Sequence, residues 1–389
     1  MKFFVKKQVK ILSIGFLFIF LGFTGVERYI TPFFQEAGMV EVGFWSLILI
    51  YLFFALSDPL AAVFVSKYGA KISMIFASVF YSLYIFFLVL GSVPLIYLAS
   101  ILVGISASLL WTGENTFLIR ASDQDSYGEN SGFFNSVKYI GSALSVLLLG
   151  FFISKYLFKN SFLIFAFFPL VAIVILSRLK NLRMEKRVNR FKLVKKAIFS
   201  LTALRISTAW FVLALIHGFV IGIIPIEIKN TLGMSYLGPF LALFYVFPIC
   251  FSYLSGRVSD IVGRPKMLVL SYFFIIISLI SLALSGEAFF LVLGIVLVAL
   301  TWTIMPSTIH ALVGDISTEH NLEFLTGLFW MVQSFGTVIA LVISQLFRAD
   351  PHIIYLISII IALSSFINLI PLLKLGLDKI KEKLSQEIA

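Results

Sequence analysis

Twelve stretches of this chain are long and apolar enough to cross a lipid bilayer, and short polar segments separate them. A spanning helix needs about 20 apolar residues. The runs occupy 9–32, 42–65, 70–91, 93–118, 130–154, 157–177, 206–228, 237–259, 267–285, 288–313, 323–346 and 353–373. Each is predicted to be helical, because a helix satisfies its own backbone N–H and C=O groups where no water reaches them. The longest interruption, 178–205, carries ten Lys or Arg against one acid, Glu185. A segment so cationic does not sit in hydrocarbon, where each charge costs several kcal/mol. It is expected to be a basic cytoplasmic linker between an N-terminal six-helix bundle, 1–177, and a C-terminal bundle with a cytoplasmic tail, 206–389. The predicted fold class is therefore an all-α integral membrane protein of twelve transmembrane helices in two six-helix bundles.

Composition agrees. Sixty per cent of residues are hydrophobic and 13% are charged, where a soluble domain averages about 25% charged. The first 25 residues resemble a secretory signal, but no small-residue cleavage site follows, so the first run is kept as a helix. A net charge of +11 would fit a nucleic-acid partner if the cations formed one patch. They follow membrane topology instead. With both termini on one side, 24 of the 30 Lys and Arg fall on that side and five on the other. The excess of positive charge on inner loops makes that side cytoplasmic, in the cell membrane, with lipid as the surrounding partner and no nucleic acid. The single cysteine, Cys250, allows no internal disulfide, and a monomer is expected.

The two halves repeat. Gly25 and Pro32 recur as Gly218 and Pro225, Gly69 as Gly263, and Trp111-Thr112 as Trp302-Thr303. Gly132, Phe134 and Gly141 recur as Gly327, Phe329 and Gly336, and every offset lies between 191 and 195 residues. Six-helix repeats of this kind bind substrate near the midplane, between the copies.

After the eighth run the chain reads Gly256-Arg-Val-Ser-Asp260-Ile-Val-Gly263-Arg264-Pro-Lys266. This resembles the G-x-x-x-D-x-x-G-R-x-[KR] loop of the major facilitator superfamily, and the resemblance covers essentially the whole chain. The first-half counterpart keeps Gly69 and Lys71 but has Ala62, Ser66 and Ala70 where the pattern has Gly, Asp and Arg. Gly69-Ala-Lys71, Tyr81, Tyr84 and the run Gly104 to Glu114 are similar to the uncoordinated-like branch, over roughly the second to fourth helices. That branch's animal members are regulators of ion channels and chaperones of innate-immune receptors. The superfamily pattern implies that Asp260 latches the inner end of the fifth helix around 128–132, with Arg264 and Lys266 as its local partners. An aspartate at a helix C-terminus opposes its own macrodipole and seeks a cation or another helix N-terminus. Ser66 on the other flank implies an asymmetric gate. The gating-loop candidates are thus Lys71, Gly256, Asp260, Gly263, Arg264 and Lys266.

Ionisable residues inside spans mark function by default. Glu114, near the end of the fourth helix, and Lys138, two turns into the fifth, lie at similar depth. They are expected to meet, either as a static brace or as a pair that opens for substrate or proton. Their repeat counterparts are Met305 and Gln333. His217, in the seventh helix, offers an imidazole that titrates near neutral pH; the alternative is a neutral ring bonded to a neighbouring helix. His310 reads as interfacial. Glu27 is expected at a cavity mouth, and Arg28 to reach the headgroups. Trp111 and Trp302 form a candidate symmetric pair that stacks on a substrate ring, or else ordinary interfacial anchors.

The substrate-cavity candidates are Trp111, Glu114, Lys138, His217, Trp302 and Gln333. With four His, one Cys, no H-E-x-x-H and no G-x-x-x-x-G-K-[ST], neither a metal nor a nucleotide cofactor is expected, and no catalytic set can be assembled. The expected function is secondary transport of a small solute by alternating access, coupled to a proton or other ion. A non-transporting scaffold or regulator with the same fold is the alternative. What separates them is whether the midplane cavity is polar or plugged by Phe.

Overall fold

The computed structural model describes residues 5–156, 158–182, 190–348 and 350–388, and among these every regular element is helical. Five long helices come first: α1 (Lys7–Glu36), α2 (Val40–Tyr68), α3 (Ala70–Leu90), α4 (Val93–Arg120) and α5 (Tyr127–Lys155), the last entered through a 3₁₀ turn at Gln124–Ser126. Then come α6 (Phe158–Phe165), α7 (Phe168–Leu176) and α8 (Arg190–Phe199). The remainder is α9 (Leu201–Ile221), α10 (Ile223–Leu232), α11 (Met234–Val262) and α12 (Arg264–Ala283), followed by α13 (Ala288–Ile316), α14 (Leu322–Leu346), α15 (Pro351–Leu375) and α16 (Leu377–Ile388). Eleven described segments are long and apolar enough to cross a membrane. The twelfth crossing is the shorter pair α6–α7.

Two expected spans are interrupted, and a proline accounts for each break. Pro169 opens α7 and Pro225 lies in the first turn of α10. Proline has no N–H and its ring collides with the carbonyl four residues back, which frees Phe165 and Ile221. The freed backbone is covered by protein. Gly22 of α1 sits so close to the Phe165 carbonyl that an added Cβ would approach it to 2.7 Å, and Ser82 donates to the Ala166 carbonyl. At the other break, Thr31 Oγ1 lies 3.5 Å from the Ile221 carbonyl and 3.3 Å from that of Gly222. Irregular backbone survives at membrane depth where protein buries it in this way.

The expected linker also changes. Helix α9 begins at Leu201 rather than 206, capped by Ser200, whose Oγ accepts the Ala203 N–H at 3.1 Å. Helix α8 occupies 190–199, and the basic stretch 183–189 lies outside the described residues. The C-terminal tail is itself a helix, α16, which buries Ile380, Leu384 and Ile388. Its Glu387 accepts hydrogen bonds from Ser200 Oγ, from Thr202 Oγ1 at 2.5 Å and from the Thr202 N–H at 3.2 Å. Burial alone would raise this carboxyl; the hydrogen bonds outweigh it and hold Glu387 below the usual carboxylate range.

The sequence repeat returns as a repeat of contacts. A Cβ on Gly25 of α1 would meet the Ser145 carbonyl of α5 at 2.8 Å, and one on Gly218 of α9 the Thr337 carbonyl of α14 at 2.9 Å. Gly141 of α5 abuts the Leu17 carbonyl of α1, as Gly336 of α14 abuts the Phe211 carbonyl of α9. Across the halves, Gly132 of α5 touches Ser252 of α11, and Gly327 of α14 touches Asp58 of α2. The pairs α5–α11 and α2–α14 therefore form the two seams between the halves.

Candidate functional site

Between those seams lies a cavity of about 110 Å³. Side chains from α1, α2, α3, α4, α5, α9, α11, α13 and α14 line it, so both halves contribute. Five of the six expected residues are on its wall: Trp111, Lys138, His217, Trp302 and Gln333. Glu114 is not; it is fully buried, and among the described residues neither carboxylate oxygen has a hydrogen-bond partner.

The polar side is a connected chain. Arg28 lies 3.6 Å from the Glu27 carboxylate and donates to Tyr245 Oη on α11 through Nε at 3.3 Å and Nη2 at 3.2 Å. Tyr51 of α2 donates to Glu27 at 2.7 Å. Its oxygen is 2.7 Å from His217 Nε2. Because Tyr51 has one proton and spends it on Glu27, Nε2 must be the donor in the second bond. Two links of this chain, Arg28–Tyr245 and Tyr51–His217, cross from one half to the other. Sequence reasoning misplaced its charged end. Arg28 is only 3% exposed and Glu27 4%, so Arg28 does not reach headgroups; its partners Tyr51 and Tyr245 passed unnoticed among many aromatics.

Ring faces form the remaining wall. Trp111 packs on Trp330 with centroids 4.8 Å apart, and Trp302 lies parallel to Tyr245 at 6.4 Å. Trp111 and Trp302 are therefore not stacked on each other; each is backed by a ring of its own. His310 is buried beside Trp330, at 5.6 Å, and lines the cavity rather than an interface. Lys138 donates to Asn135 Oδ1 at 2.9 Å and sits over the rings of Tyr139 at 4.3 Å and Trp111 at 5.0 Å. The expected contact between Glu114 and Lys138 is absent: the ammonium has settled on an amide and aromatic faces.

One buried acid escaped the sequence reading altogether. Asp58 of α2 is fully buried, and among the described residues neither carboxylate oxygen has a partner. It sits at the α2–α14 seam, its carbonyl 3.0 Å from where a Gly327 Cβ would be. Its place in the repeat is that of Ser252, and comparing the two positions would have singled it out.

At the face where α1 begins, the loop motif closes one seam. The Asp260 carboxylate accepts the N–H groups of Gly128 at 2.9 Å and Glu129 at 2.8 Å, in the first turn of α5. Those N–H groups have no partner within the helix. Arg264 holds Asp260 at 2.6 Å, Asp315 at 2.7 Å and Ser259 Oγ at 2.7 Å. Gly256 meets the Gly128 carbonyl so closely that no Cβ would fit, and Gly263 takes φ +98°, which favours glycine. Lys266 is exposed and is not a partner of Asp260; among the described residues neither it nor Lys71 has an ion pair. The other seam has a different device, Arg120 of α4 to Glu323 of α14 at 2.6 Å. On the opposite face Lys229 pairs with Glu36 at 3.4 Å and Arg348 with Glu41 at 3.4 Å.

The arrangement offers donors, acceptors and flat apolar faces to a small polar solute, with contacts between the halves at both ends. The family description of the Major Facilitator Superfamily matches residues 12–341 and again 206–387. The UNC93-like protein MFSD11 of Xenopus tropicalis is 32% identical over 130 residues, which cover 33% of this chain and 29% of that protein. UNC93-like protein 3 of Arabidopsis thaliana is 27% identical over 128 residues, 32% of this chain and 26% of the relative. The match thus spans under a third of each relative's length. Among solved structures, the proton:xylose symporter XylE superposes with TM-score 0.75 at 11% identity, over 93% of this chain and 94% of that one. The human organic anion transporter MFSD10 gives 0.75 at 12% identity, over 95% and 100%. A bacterial homologue of the iron transporter ferroportin, outward-facing, gives 0.71 at 14% identity, over 98% and 100%. These likenesses concern the fold.

Proposed function

The chain belongs to the major facilitator superfamily, and from that premise we propose that it is a secondary carrier, moving a small solute by alternating access. The observation that carries the proposal is the polar and aromatic cavity between the halves, bridged by hydrogen bonds from one half to the other. A solute that replaced the Tyr51–His217 or Arg28–Tyr245 link would change what holds the halves together. Coupling of binding to rocking needs such a differential contact. The two closed seams at the α1 face, Asp260 with α5 and Arg120 with Glu323, would open in the alternate state. The excess of Lys and Arg on that face supports a cytoplasmic assignment for both termini, in the cell membrane. The sequence carries no nucleotide-binding loop, so the cycle would draw on an ion or solute gradient.

A second reading, a membrane scaffold or regulator without flux, draws on the UNC93-like match over 130 residues. The cavity argues against it, since Arg28, Lys138 and Gln333 line space that a scaffold would fill with apolar side chains. The test is flux in proteoliposomes loaded with a mixed pool of metabolites. Uptake is expected and should fall at least tenfold in Lys138→Ala; no flux at any pH, together with tight binding to a partner protein, would favour the scaffold.

A further inference from the structure

Inside the cavity the positive charges are not balanced alike. Arg28 has its counter-charge in Glu27, 3.6 Å away. Among the described residues Lys138 has no ion pair: of its three N–H donors, one goes to the neutral Asn135 amide, and the others face rings. It is 6% exposed and lines the cavity, so this is a buried cation open to the cavity. Arg28 also leaves Nη1 without a hydrogen bond although only 3% of the residue is exposed. Both cations adjoin flat faces, since Arg28 lies 5.9 Å over the Trp302 ring and Lys138 5.0 Å over that of Trp111.

Glu114 supplies the other half of the argument. It stands three residues after Trp111 on α4, hence on the same helix face, and Lys138 lies over that Trp111 ring. Its carboxylate oxygens are buried, with no donor among the described residues. An ionised carboxylate in that condition is costly until a cation or a donor reaches it. The Lys138 ammonium over the Trp111 ring is the cation on that side of α4.

We propose that the solute is a small organic anion with a planar or aromatic part, and that its carboxylate competes with Glu114 for Lys138. Rings of Trp111, Trp302 and Trp330 take the flat part, and the ammonium takes the charge. Lys138 neutralises one carboxylate; two around one ammonium would leave a net negative charge buried. Binding the anion therefore requires Glu114 to be protonated, and each anion travels with one proton. The proposal rests on the carrier reading above and names its substrate class and coupling site.

Other titratable groups surround α4 and bear on any pH effect. Asp58 on α2, Tyr81 and Tyr84 on α3, and Glu27 with Arg28 on α1 are on helices packed against it. So are His310 on α13 and Glu323, paired to Arg120, on α14. Only Glu114 is removed in the decisive variant, which isolates its share.

The experiment is equilibrium binding to the purified full-length chain, read by quenching of tryptophan fluorescence. The probes are phenylacetate, its uncharged amide phenylacetamide, and the cation phenethylamine. Phenylacetate is expected to bind at least tenfold tighter than the amide, and the amine most weakly. Its Kd should rise about tenfold per pH unit once Glu114 ionises, and binding there should take up about one proton per anion. In Glu114→Gln both pH effects should vanish while phenylacetate still binds. Lys138→Gln should erase the preference for the anion and Lys138→Arg should keep it, with thermal unfolding verifying that each variant is folded. Equal binding of amide and acid, no binding of any probe, or an unchanged pH slope in Glu114→Gln would overturn the proposal. Flux of neutral or cationic solutes without anion binding would sink the proposal and leave the carrier reading standing.

Discussion

Asp58 shows how much a single side chain can carry without a sequence motif to announce it. It is fully buried with two unpartnered oxygens, while its repeat position is the small polar Ser252. Leaving a buried acceptor unsatisfied costs about 1–3 kcal/mol. Asp58→Ser, which restores the residue of the other half, should therefore stabilise the protein by about that amount. Thermal unfolding in detergent would report it as a higher midpoint, and a lower one would mean that Asp58 has a partner in the resting protein. At this scale the sequence was legible where a charge stood alone in an apolar run, as with Lys138 and His217, which both line the cavity. It misled at Arg28, because depth along a helix does not say which face the side chain leaves by. The same limit hid Tyr51: only the path through Glu27 to His217 distinguishes it from other tyrosines.

At the level of elements, helices α5 and α11 depend on glycines that admit backbone-to-backbone contact and on one aspartate that caps a neighbour. Gly128 and Gly132 face Gly256 and Ser252, and Asp260 accepts two N–H groups from the first turn of α5. Charge-assisted hydrogen bonds of this kind contribute about 1.5–3 kcal/mol each. Asp260→Ala is expected to speed amide exchange at Gly128 and Glu129 by about tenfold or more, with little effect in α14. Unchanged protection there would mean that the cap does not hold the seam. This latch was legible because its Gly and Asp spacing survives intact in 256–266, and the mutual position of α5 and α11 follows from it. Its counterpart was legible only as a loss, at Ser66. Nothing near that position foretold that Arg120 and Glu323, 203 residues apart, would close the second seam instead. The breaks at Pro169 and Pro225 were half legible. Proline marks where a helix loses a hydrogen bond, but whether it kinks or parts depends on what receives the freed carbonyl, here Thr31 for Ile221 and Gly222.

For the molecule as a whole, the repeat is the strongest statement in the sequence. Matches at offsets of 191–195 residues become matched contacts between helices, in both halves and across both seams. Twelve crossings and an all-helical fold follow from apolar run length alone. What run length does not carry is the state of the seams, because that depends on side chains meeting across the two copies. In this conformation the halves touch at both faces around the cavity, through Asp260 and Glu323 at one end and through Thr31, Lys229 and Arg348 at the other. Alternating access requires these two sets to open one at a time.

Paired spin labels test that requirement most directly, with Cys250 replaced by Ser. One pair sits at Asp125 and Lys266 on the α1 face, the other at Gly38 and Thr231 on the opposite face; all four positions are exposed. Distances are read in lipid across acid and alkaline pH, with and without phenylacetate. A carrier should show two populations at each face, shifting in opposite directions as conditions change. One fixed distance at each face, or both faces widening together, would contradict the account.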